Sequence, residues 1–520
     1  MGKLFWEGKT ESTEKLEKLI KQNKKPFPAI EKFVSPINAN LVDLNGQSMD
    51  NQEKSTLKER PWKNHLFLGD NILVMSSLLK DFKEKITLIY FDPPFATGGE
   101  FNYKIQIGEG QNSKKSSKWI RRRAYSDSWK EGIDSYLDFM HERLLIMKEL
   151  LANNGSIYVH LDWHVGHYVK IMMDEIFGIN NFRNEIIWAY PAASAQTKRF
   201  FVRSYDMILY YSKSDDYIFN DDPNIYMEYS DRVKNALVKD EKGTFYYRGG
   251  SHDGKKLSQK VYTSKEGVFP RDVWIDIPYI RANTKEYQGF STQKPERLLK
   301  RVILASTNND DLVADFFCGS GTTLAVAEKL NRRWIGCDRA KHAIQIVKKR
   351  MLDIHNSNDL YNWKEKYKKT LKPFLLLGSE TNSHPLSIPS EFLSKEANAK
   401  EQDTFIEKPV VKLNISKKNN EVIVELNDFM VKNNDLVSEE VNESISSFSD
   451  WIDYWAIDFD HQENEYFNNS WISYRTSKNR KLILTSHPFY YDKPGQHTIL
   501  IKVIDIFGNE TKEMREIIII

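Results

Sequence analysis

The chain has 520 residues, of which 40% are hydrophobic, and its 75 Lys and Arg against 72 Asp and Glu give a net charge of +3. This length and apolar content allow two or more domains with cores of their own. No run of 18 apolar residues occurs, so we expect no membrane-spanning helix. The N-terminal residues lack the apolar core of a signal peptide, and the two cysteines, Cys318 and Cys337, suggest no disulfide framework. We therefore predict a cytoplasmic protein.

The charge is unevenly distributed along the chain. Residues 401–520 carry 13 Lys and Arg against 21 Asp and Glu, a net charge of −8, which leaves the preceding 400 residues at +11. A basic body of this kind suits a polyanionic partner such as DNA. The acidic C-terminal region favours a contact with protein over a contact with DNA.

Strands and helices alternate over much of the first 375 residues. A helix is predicted over residues 10–22, within an N-terminal extension of residues 1–60, and a strand, a helix and a strand over residues 64–91. A helical stripe of apolar residues follows at residues 135–151. The next predicted elements are a strand, a helix and two strands at residues 156–161, 164–177, 186–190 and 205–212. This alternation is typical of an α/β fold with a parallel sheet, helices on both faces and ligands at the carboxyl ends of the strands.

A strand predicted at residues 86–91 runs directly into Asp92, Pro93, Pro94 and Phe95. Proline fixes φ and lacks an amide donor, so the carbonyl groups there face no competing donor. The Asp92 carboxylate and the Pro93 carbonyl can each accept one N–H of an exocyclic amino group, and Phe95 can stack on its planar base. We therefore predict a pocket for methylating a base nitrogen. The alternative is a stiff turn without a catalytic role.

The segment after this motif is basic and aromatic. Residues 101–130 hold eight Lys and Arg against two acids, with Tyr and Trp interleaved. Beside a base pocket, such a segment favours contacts with a nucleic-acid backbone, whereas an ordinary solvated loop is the alternative. The DNA-binding residues predicted here are Lys114, Lys115, Lys118, Arg121, Arg122 and Arg123.

A second motif begins at residue 313, where an apolar strand leads into a glycine-rich loop at residues 318–323. A helix and a strand that ends at Asp338 follow. Glycine lets the backbone turn sharply and approach a ligand closely, and an acid about 20 residues further on can hold a ribose hydroxyl pair. The loop matches neither a P-loop nor the three-glycine dinucleotide fingerprint. A nucleoside cofactor without a pyrophosphate fits better, which predicts S-adenosylmethionine; an ordinary βα turn is the alternative.

Four stretches together resemble the β class of amino-group DNA methyltransferases. They are the Asp-Pro-Pro-Phe motif, Thr-Gln-Lys-Pro at residues 292–295, Asp-Phe-Phe-Cys-Gly-Ser-Gly-Thr-Thr at residues 315–323 and Trp-Ile-Gly-Cys-Asp at residues 334–338. The resemblance covers roughly residues 66–351 and is greatest to the modification subunits of type III restriction-modification systems and their adenine-specific relatives. It implies a Rossmann-like, doubly wound methyltransferase sheet with circularly permuted motif order. It also implies methyl transfer from S-adenosylmethionine to adenine N6 of a base flipped out of double-stranded DNA.

The resemblance also implies roles for single residues. Asp92, Pro93, Pro94 and Phe95 carry the base pocket, and Asp338 holds the ribose. Asp70 meets the adenine of the cofactor, unless it is only a helix cap. Lys294 opens the helix that closes over the methionine end, unless it is only a surface charge. The other residues of the cofactor site are Asp315, Phe317, Gly319, Ser320, Gly321 and Thr322.

We predict a methyltransferase domain over residues 61–375, which divides into three parts. A catalytic half, residues 61–212, precedes a polar insert of about residues 213–275, which corresponds to the target-recognition region of the family. A cofactor half, residues 276–375, follows. Side chains that reach base edges are typically Arg, Lys, Asn and Gln. The candidates in the insert are Arg248, His252, Lys255, Lys256 and Gln259.

The C-terminal part has a different pattern. Residues 376–405 are rich in Ser, Asn and Glu and predict a linker. Period-two apolar runs over residues 406–520 predict an acidic, all-β sandwich. A short stretch, residues 491–510, is similar to the ends of polycystic-kidney-type immunoglobulin-like domains.

Other functions stay open at this point. Cytosine-N4 methylation uses the same pocket, although that group more often has Ser at the position of Asp92. Methylation of RNA or of a protein glutamine uses similar Pro-Pro pockets, and a catalytically silent DNA-binding or scaffold protein is the third alternative. No His or Cys cluster has metal-ligand spacing, so we predict no metal. The resemblance further suggests a restriction subunit or another defence-system protein as partner and leaves a homodimer open.

Overall fold

The computed structural model describes residues 4–23, 26–34, 62–108, 119–127, 129, 132–190, 199–252, 255–263, 267–378, 387–388, 404–405, 407–432, 436–463, 465–476 and 479–520. The helices are α1 (Lys9–Gln22), α2 (Asn71–Phe82), α3 (Ile133–Leu150), α4 (Gly166–Phe177), α5 (Asp231–Asn235), α6 (Glu296–Ser306), α7 (Thr322–Lys329), α8 (Lys341–Leu352) and α9 (Glu439–Asn442). None of these helices is both long and apolar enough to span a membrane. The cytoplasmic location stays a prediction.

Among the described residues between positions 29 and 378 there are fifteen strands. They are β1 (Ala29–Phe33), β2 (Asn64–Leu68), β3 (Ile86–Phe91), β4 (Glu100–Gln106), β5 (Trp119–Ser126), β6 (Leu151–Leu161), β7 (Phe182–Ala189), β8 (Tyr205–Ser212), β9 (Val238–Asp240), β10 (Gly243–His252), β11 (Lys255–Tyr262), β12 (Val273–Trp274), β13 (Leu312–Asp315), β14 (Arg333–Asp338) and β15 (Phe374–Gly378). The later strands are β16 (Ser387–Ile388), β17 (Thr404–Phe405), β18 (Val410–Lys418), β19 (Glu421–Met430), β20 (Ile452–Asp458), β21 (Phe467–Asn468), β22 (Trp471–Tyr474), β23 (Phe489–Tyr490), β24 (Gly495–Asp505) and β25 (Glu510–Ile519).

The main sheet has eleven strands in the order β12-β7-β8-β6-β3-β13-β14-β2-β15-β1-β21. The strands from β6 to β15 in this order are parallel. The predicted α/β fold is confirmed, but the predicted parallel sheet also contains antiparallel strands. Strand β8 runs antiparallel to both of its neighbours, β6 and β7, and β1 runs antiparallel to β15. The sheet is therefore mixed.

Helices cover both faces of this sheet, which explains its apolar strands. Every residue of β3 is buried. Leu88 and Tyr90 belong to the core on one face, and Ile89 and Phe91 to the core on the other. A strand buried on both faces is a continuous apolar run in sequence, as β3 is.

The strands of the main sheet come from all four parts of the chain predicted from sequence, which are residues 1–60, 61–375, 376–405 and 406–520. Strand β1 lies in the predicted N-terminal extension, and β21 lies in the predicted C-terminal domain. Strand β15 ends at Gly378, so the first three residues of the predicted linker, 376–405, belong to the sheet. The predicted division into domains stays a prediction, and its parts share one sheet.

Two smaller sheets form most of the C-terminal region. One has the order β18-β19-β23 and the other the order β22-β20-β24-β25. Val422 and Val424 of the first sheet pack with Trp455 and Ile501 of the second in one buried cluster. Two sheets therefore enclose a common apolar core.

A buried charge cluster fixes this region to the rest of the molecule. The Glu31 carboxylate on β1 pairs with Lys502 on β24 and lies 3.6 Å from the Lys348 ammonium on α8. Lys348 also donates to the Tyr454 hydroxyl at 2.6 Å, and Asn469 donates to Glu31 at 2.9 Å. Burial alone raises the pKa of Glu31, but the two lysines bring it below its usual value. Four segments of the chain thus meet at one carboxylate, and a fifth, that of Tyr454, joins them through Lys348.

Replacing Glu31 with Gln should lower the free energy of unfolding by about 3 kcal/mol at neutral pH, because a buried cation loses its carboxylate. Since the pKa of Glu31 is lowered by folding, its contribution should be complete above the ordinary glutamate pKa and disappear as the pH falls through the lowered value. Urea unfolding measures both effects. The control is Glu228→Gln, which removes an exposed ion pair with Lys234 and should change stability by less than about 0.5 kcal/mol. Equal losses in the two variants would contradict the account.

Candidate active site

The sheet brings the two sequence motifs together. Strand β3 pairs in parallel with β13, and β13 pairs in parallel with β14, which pairs with β2. The carboxyl ends of these four strands therefore lie along one edge. Asp92, Asp315, Asp338 and Asp70 lie at or just after those ends. One site thus combines residues from both halves of the sequence.

Asp92 offers one bound and one unbound oxygen. Its Oδ2 accepts a hydrogen bond from the Lys294 ammonium at 2.5 Å, and the two side chains are 19% and 12% exposed. Its Oδ1 is buried and has no hydrogen-bond partner among the described residues. A buried acceptor without a donor is costly. It therefore marks the place where a ligand N–H can bind.

Phe95 borders the same space. Its ring is stacked on the His160 ring at 6.3 Å between centroids, and the Lys294 ammonium lies 5.6 Å from its centroid. Pro93 is buried, and Pro94 and Phe95 are half-buried. A free carboxylate oxygen beside a flat ring is the arrangement that the sequence predicts for a planar amine.

Sequence reasoning missed the residue that holds this loop. The Asp127 carboxylate accepts hydrogen bonds from the backbone amides of Phe95, Ala96 and Thr97 at 3.2, 3.0 and 2.8 Å. It also accepts bonds from the Thr97 hydroxyl and the Trp129 indole. Ala96 has a φ of 54°, which is unfavourable for a residue with a Cβ. Asp127 thus fixes the loop, and its signal in the sequence is an acid within a strongly basic segment.

A buried polar network lies behind the Phe95 ring, and sequence reasoning missed it as well. His160 bonds the Tyr90 hydroxyl at 2.8 Å through Nδ1 and the Asp206 carboxylate at 3.0 Å through Nε2. Tyr190 donates to the other oxygen of Asp206 at 2.9 Å. Burial raises the pKa of Asp206, but the bond to His160 and the nearby Lys294 bring it below its usual value. The ring that stacks on Phe95 is therefore fixed in orientation.

The glycine loop is shaped by positive backbone angles and by two carboxylates. Gly319 and Gly321 have φ values of 48° and 72°, which glycine adopts without strain. The Asp338 carboxylate accepts from the Gly319 amide at 2.9 Å and from the Ala340 amide at 2.8 Å. Asp315 accepts from the Thr323 hydroxyl at 2.5 Å, and burial raises the pKa of Asp315 to about 7. Asp315 thus supports the loop from inside, whereas Asp338 is only half-buried.

Lys294 is tied to this loop through its backbone. The Thr322 hydroxyl donates to the Lys294 carbonyl at 3.1 Å and accepts from Arg350 at 3.0 Å. Arg350 also bonds the Ser320 carbonyl at 3.0 Å and Glu296 at 2.9 Å. Because the Lys294 side chain is 12% exposed and paired with Asp92, the alternative that it is only a surface charge is wrong. The buried charges behind the loop were not predicted.

Asp70 makes the helix-cap contact that the sequence analysis gave as the alternative to cofactor binding. Its Oδ1 accepts from the Ile72 amide at 3.2 Å at the start of α2 and from the Arg143 guanidinium at 3.2 Å. Arg143 lies 3.5 Å from the Phe139 ring, which packs edge-on against Phe317. The Asp70 side chain is still 38% exposed. A cap role therefore leaves one side of its carboxylate open.

The predicted DNA contacts are only partly described. Lys114, Lys115 and Lys118 lie outside the described residues. Strand β5 carries Arg121, Arg122 and Arg123, and β11 carries Lys255 and Lys256. Of these five residues the structure describes the backbone only. Arg248 is exposed on β10, within a three-stranded sheet of order β11-β10-β9. Their binding of DNA stays a prediction.

The side chains at this edge suit S-adenosylmethionine. The Asp338 and Asp70 carboxylates can accept bonds from ribose hydroxyls and from an adenine amino group. The Lys294 ammonium has three N–H groups, of which one meets Asp92 and another the Thr292 carbonyl at 3.5 Å, so the third can bind the carboxylate of a methionine. These donors and acceptors surround a loop whose glycines allow close approach.

Residues 86–349, slightly more than half of the chain, match the DNA methylase family. The chain belongs to the DNA methylase family. The predicted resemblance is confirmed, and so are the predicted enzyme class, a DNA methyltransferase, and its methyl donor, S-adenosylmethionine.

Several proteins are similar to this DNA methyltransferase. The type II methyltransferase M.EcaI of Enterobacter cloacae is 32% identical over 330 residues, which are 55% of this chain and 69% of that protein. The DNA adenine methyltransferase YhdJ of Escherichia coli strain K12 is 29% identical over 53% of this chain and 80% of that protein. The probable HindVI Mod subunit of Haemophilus influenzae is 26% identical over 56% of this chain and half of its own length. The solved M1.HpyAVI–SAM complex is 17% identical over 55% of this chain and 98% of that chain, with a TM-score of 0.34.

Asp127→Ala should slow methyl transfer about 100-fold, because a catalytic loop displaced by about 1 Å loses its reactive geometry. The affinity for S-adenosylmethionine should stay unchanged, since the described hydrogen bonds of the Asp127 side chain go to the base-pocket loop and to Trp129 and not to the proposed cofactor residues. Initial rates on unmethylated bacterial DNA and calorimetric cofactor binding measure the two quantities.

The matched control is Asp359→Ala. The Asp359 carboxylate also accepts from two backbone amides, those of Tyr361 and Asn362, in a loop that none of the contacts above involves. That variant should keep the wild-type rate. An Asp127→Ala enzyme as fast as the control would show that the loop does not depend on this carboxylate.

Proposed function

We propose that this chain methylates adenine N6 in double-stranded DNA at a specific sequence, within a restriction-modification or related defence system. The carrying observation is the Asp92 carboxylate, whose Oδ1 is a buried acceptor with no donor among the described residues, beside the Phe95 ring. Membership of the DNA methylase family and the similarity to a protein named as a DNA adenine methyltransferase support the same function.

The target base has to leave the double helix to reach this site. An amino group that is paired and stacked inside a duplex is not accessible to Asp92, so the base is flipped out. Phe95 then stacks on the base, with its ring held by His160. The Asp92 Oδ1 accepts one amino N–H, and the Pro93 carbonyl accepts the other. Both bonds draw the nitrogen toward tetrahedral geometry and expose its lone pair.

Lys294 is a positioning residue in this proposal. Its bond to Oδ2 sets the rotation of the Asp92 carboxylate so that Oδ1 faces the pocket. When bound, S-adenosylmethionine supplies the electrophilic methyl group. The Asp92 carboxylate lies beside the amino nitrogen and accepts the proton that this nitrogen releases. Positioning the amine at attack distance accounts for much of the acceleration.

The cofactor contacts follow from the same geometry. Asp338 binds the ribose, and the open side of Asp70 meets the adenine ring. The Lys294 ammonium and the loop of Gly319, Ser320 and Gly321 hold the methionine part. Asp315, Phe317 and Thr322 shape that loop.

The remaining regions contact DNA and partner proteins. We infer that the basic residues on and between β4 and β5 bind the phosphate backbone and that the sheet of β9, β10 and β11 reads the target sequence. Relatives named as Mod subunits support a restriction subunit as a partner. We further propose that the C-terminal region, with its two packed sheets, is an immunoglobulin-like docking domain. A homodimer stays a prediction.

The test is modification-sensitive sequencing of DNA from a methylation-free bacterial host that expresses the chain. Wild type should produce N6-methyladenine within one short recurring motif, and Asp92→Ala should produce none. Asp215→Ala, which removes an acid whose side chain is 89% exposed, should leave the pattern unchanged. N4-methylcytosine in the motif would overturn the base assignment. If Asp92→Ala methylates DNA as well as Asp215→Ala does, the proposed role of Asp92 is wrong. If wild type leaves the host DNA unmodified, the proposal that this chain methylates DNA without a partner protein is wrong.

A further inference from the structure

An exposed aromatic surface surrounds one arginine at the edge of the base pocket. Trp163, Phe200 and Tyr205 are 40%, 57% and 40% exposed. The Arg203 guanidinium carbon lies 3.8 Å from the centroid of the Trp163 ring and 5.0 Å from that of the Phe200 ring. We call these four residues the aromatic–arginine surface.

This surface lies beside the proposed position of the target base. Trp163 follows the end of β6 by two residues, and β6 contains His160, whose ring stacks on Phe95. Tyr205 begins β8, and the next residue, Asp206, bonds His160. The surface is therefore continuous with the wall of the base pocket.

The side chains of this surface are better suited to contact with nucleic acid than to exposure to water. Large aromatic side chains with this exposure keep apolar area in contact with water, and a stacked base would cover it. A guanidinium lying on a ring keeps its N–H groups free at its edge, and these suit a phosphate. Within the described part of the chain, no carboxylate comes within ion-pair distance of Arg203. The Trp163 ring lies between two groups, with the Arg203 guanidinium 3.8 Å and the His164 ring 3.7 Å from its centroid. Phe200 thus remains as the ring on which a base can stack, and Arg203 as the cation that can pair with a phosphate.

We propose that the aromatic–arginine surface binds the DNA next to the flipped base. Phe200 stacks on a base exposed by flipping, Trp163 holds the Arg203 guanidinium against its ring, and Arg203 binds a neighbouring backbone phosphate. The inference rests on the proposed function, because it needs a DNA duplex with one base in the Asp92 pocket. It adds a contact that stabilises the opened duplex and is separate from the basic strands and from the recognition sheet.

The test compares Phe200→Ala, Trp163→Ala, Trp163→Phe and Arg203→Gln with wild type on a fluorescein-labelled duplex that carries the methylated motif found by sequencing. Loss of the base stack in Phe200→Ala should weaken binding about tenfold. Trp163→Ala, which releases Arg203, should weaken binding several-fold, and Trp163→Phe should restore most of it. Arg203→Gln should weaken binding several-fold and reduce its dependence on salt. Cofactor affinity should stay at the wild-type value in each variant. A duplex with 2-aminopurine at the target adenine should show less flipped base with Trp163→Ala.

Tyr361→Ala is the matched control. Tyr361 is 56% exposed and has the Lys300 ammonium 4.5 Å from its ring, so it is also an exposed aromatic residue with a cation. It interacts with Arg332, which precedes β14, at the opposite edge of the sheet. Its replacement should leave DNA affinity unchanged.

The outcomes separate the inference from the function it rests on. If wild type methylates the duplex and Trp163→Ala binds it as tightly as Tyr361→Ala does, the inference is wrong. A change in sedimentation of the free protein with unchanged DNA affinity would also overturn it, since the surface would then join two copies of the chain. If wild type neither binds nor methylates the duplex, the proposed function and the inference are both wrong.

Discussion

The site depends on the ion pair between Lys294 and Asp92, two residues 202 positions apart in the sequence. Asp92 follows β3, the strand of one motif, and the Lys294 backbone is bonded to the glycine loop of the other through Thr322. The pair therefore joins the base pocket to the cofactor loop. It also uses one oxygen of Asp92 and leaves the other as the buried acceptor. The strands of the two motifs already pair in register, and the ion pair adds a direct side-chain link between the loops that follow them.

Buried ion pairs connect this site to the rest of the molecule. Glu296 pairs with Lys329 and Arg350 behind the glycine loop. Arg350 lies on α8, the helix that also carries Lys348 to Glu31 and Lys349 to Asp453. Desolvating such charges is costly unless each is paired in good geometry. One helix thus connects the cofactor loop with the C-terminal sheets.

Local patterns made much of the site predictable from sequence. The run Asp-Pro-Pro-Phe after an apolar strand and the glycine turn before a helix each specify their own backbone, and strands that are buried on both faces read as apolar runs. Pairings between distant segments could not be derived in the same way. The antiparallel direction of β8, the place of β1 and β21 in the main sheet, and the bonds of Asp127 all depend on contacts that no local pattern encodes. In the sequence, Asp127 is only an acid among basic residues, and nothing there distinguishes the buried Lys294 from a lysine on the surface.

The most direct test of this account is a double-mutant cycle on the pair that joins the two motifs. The free energy of unfolding would be measured for wild type, Asp92→Asn, Lys294→Met and the double variant. A shared, largely buried ion pair predicts a coupling energy of about 1–3 kcal/mol, so that the second substitution adds little to the first. If the two single effects add within about 0.5 kcal/mol, the residues are independent. The claim that this ion pair unites the site would then be wrong.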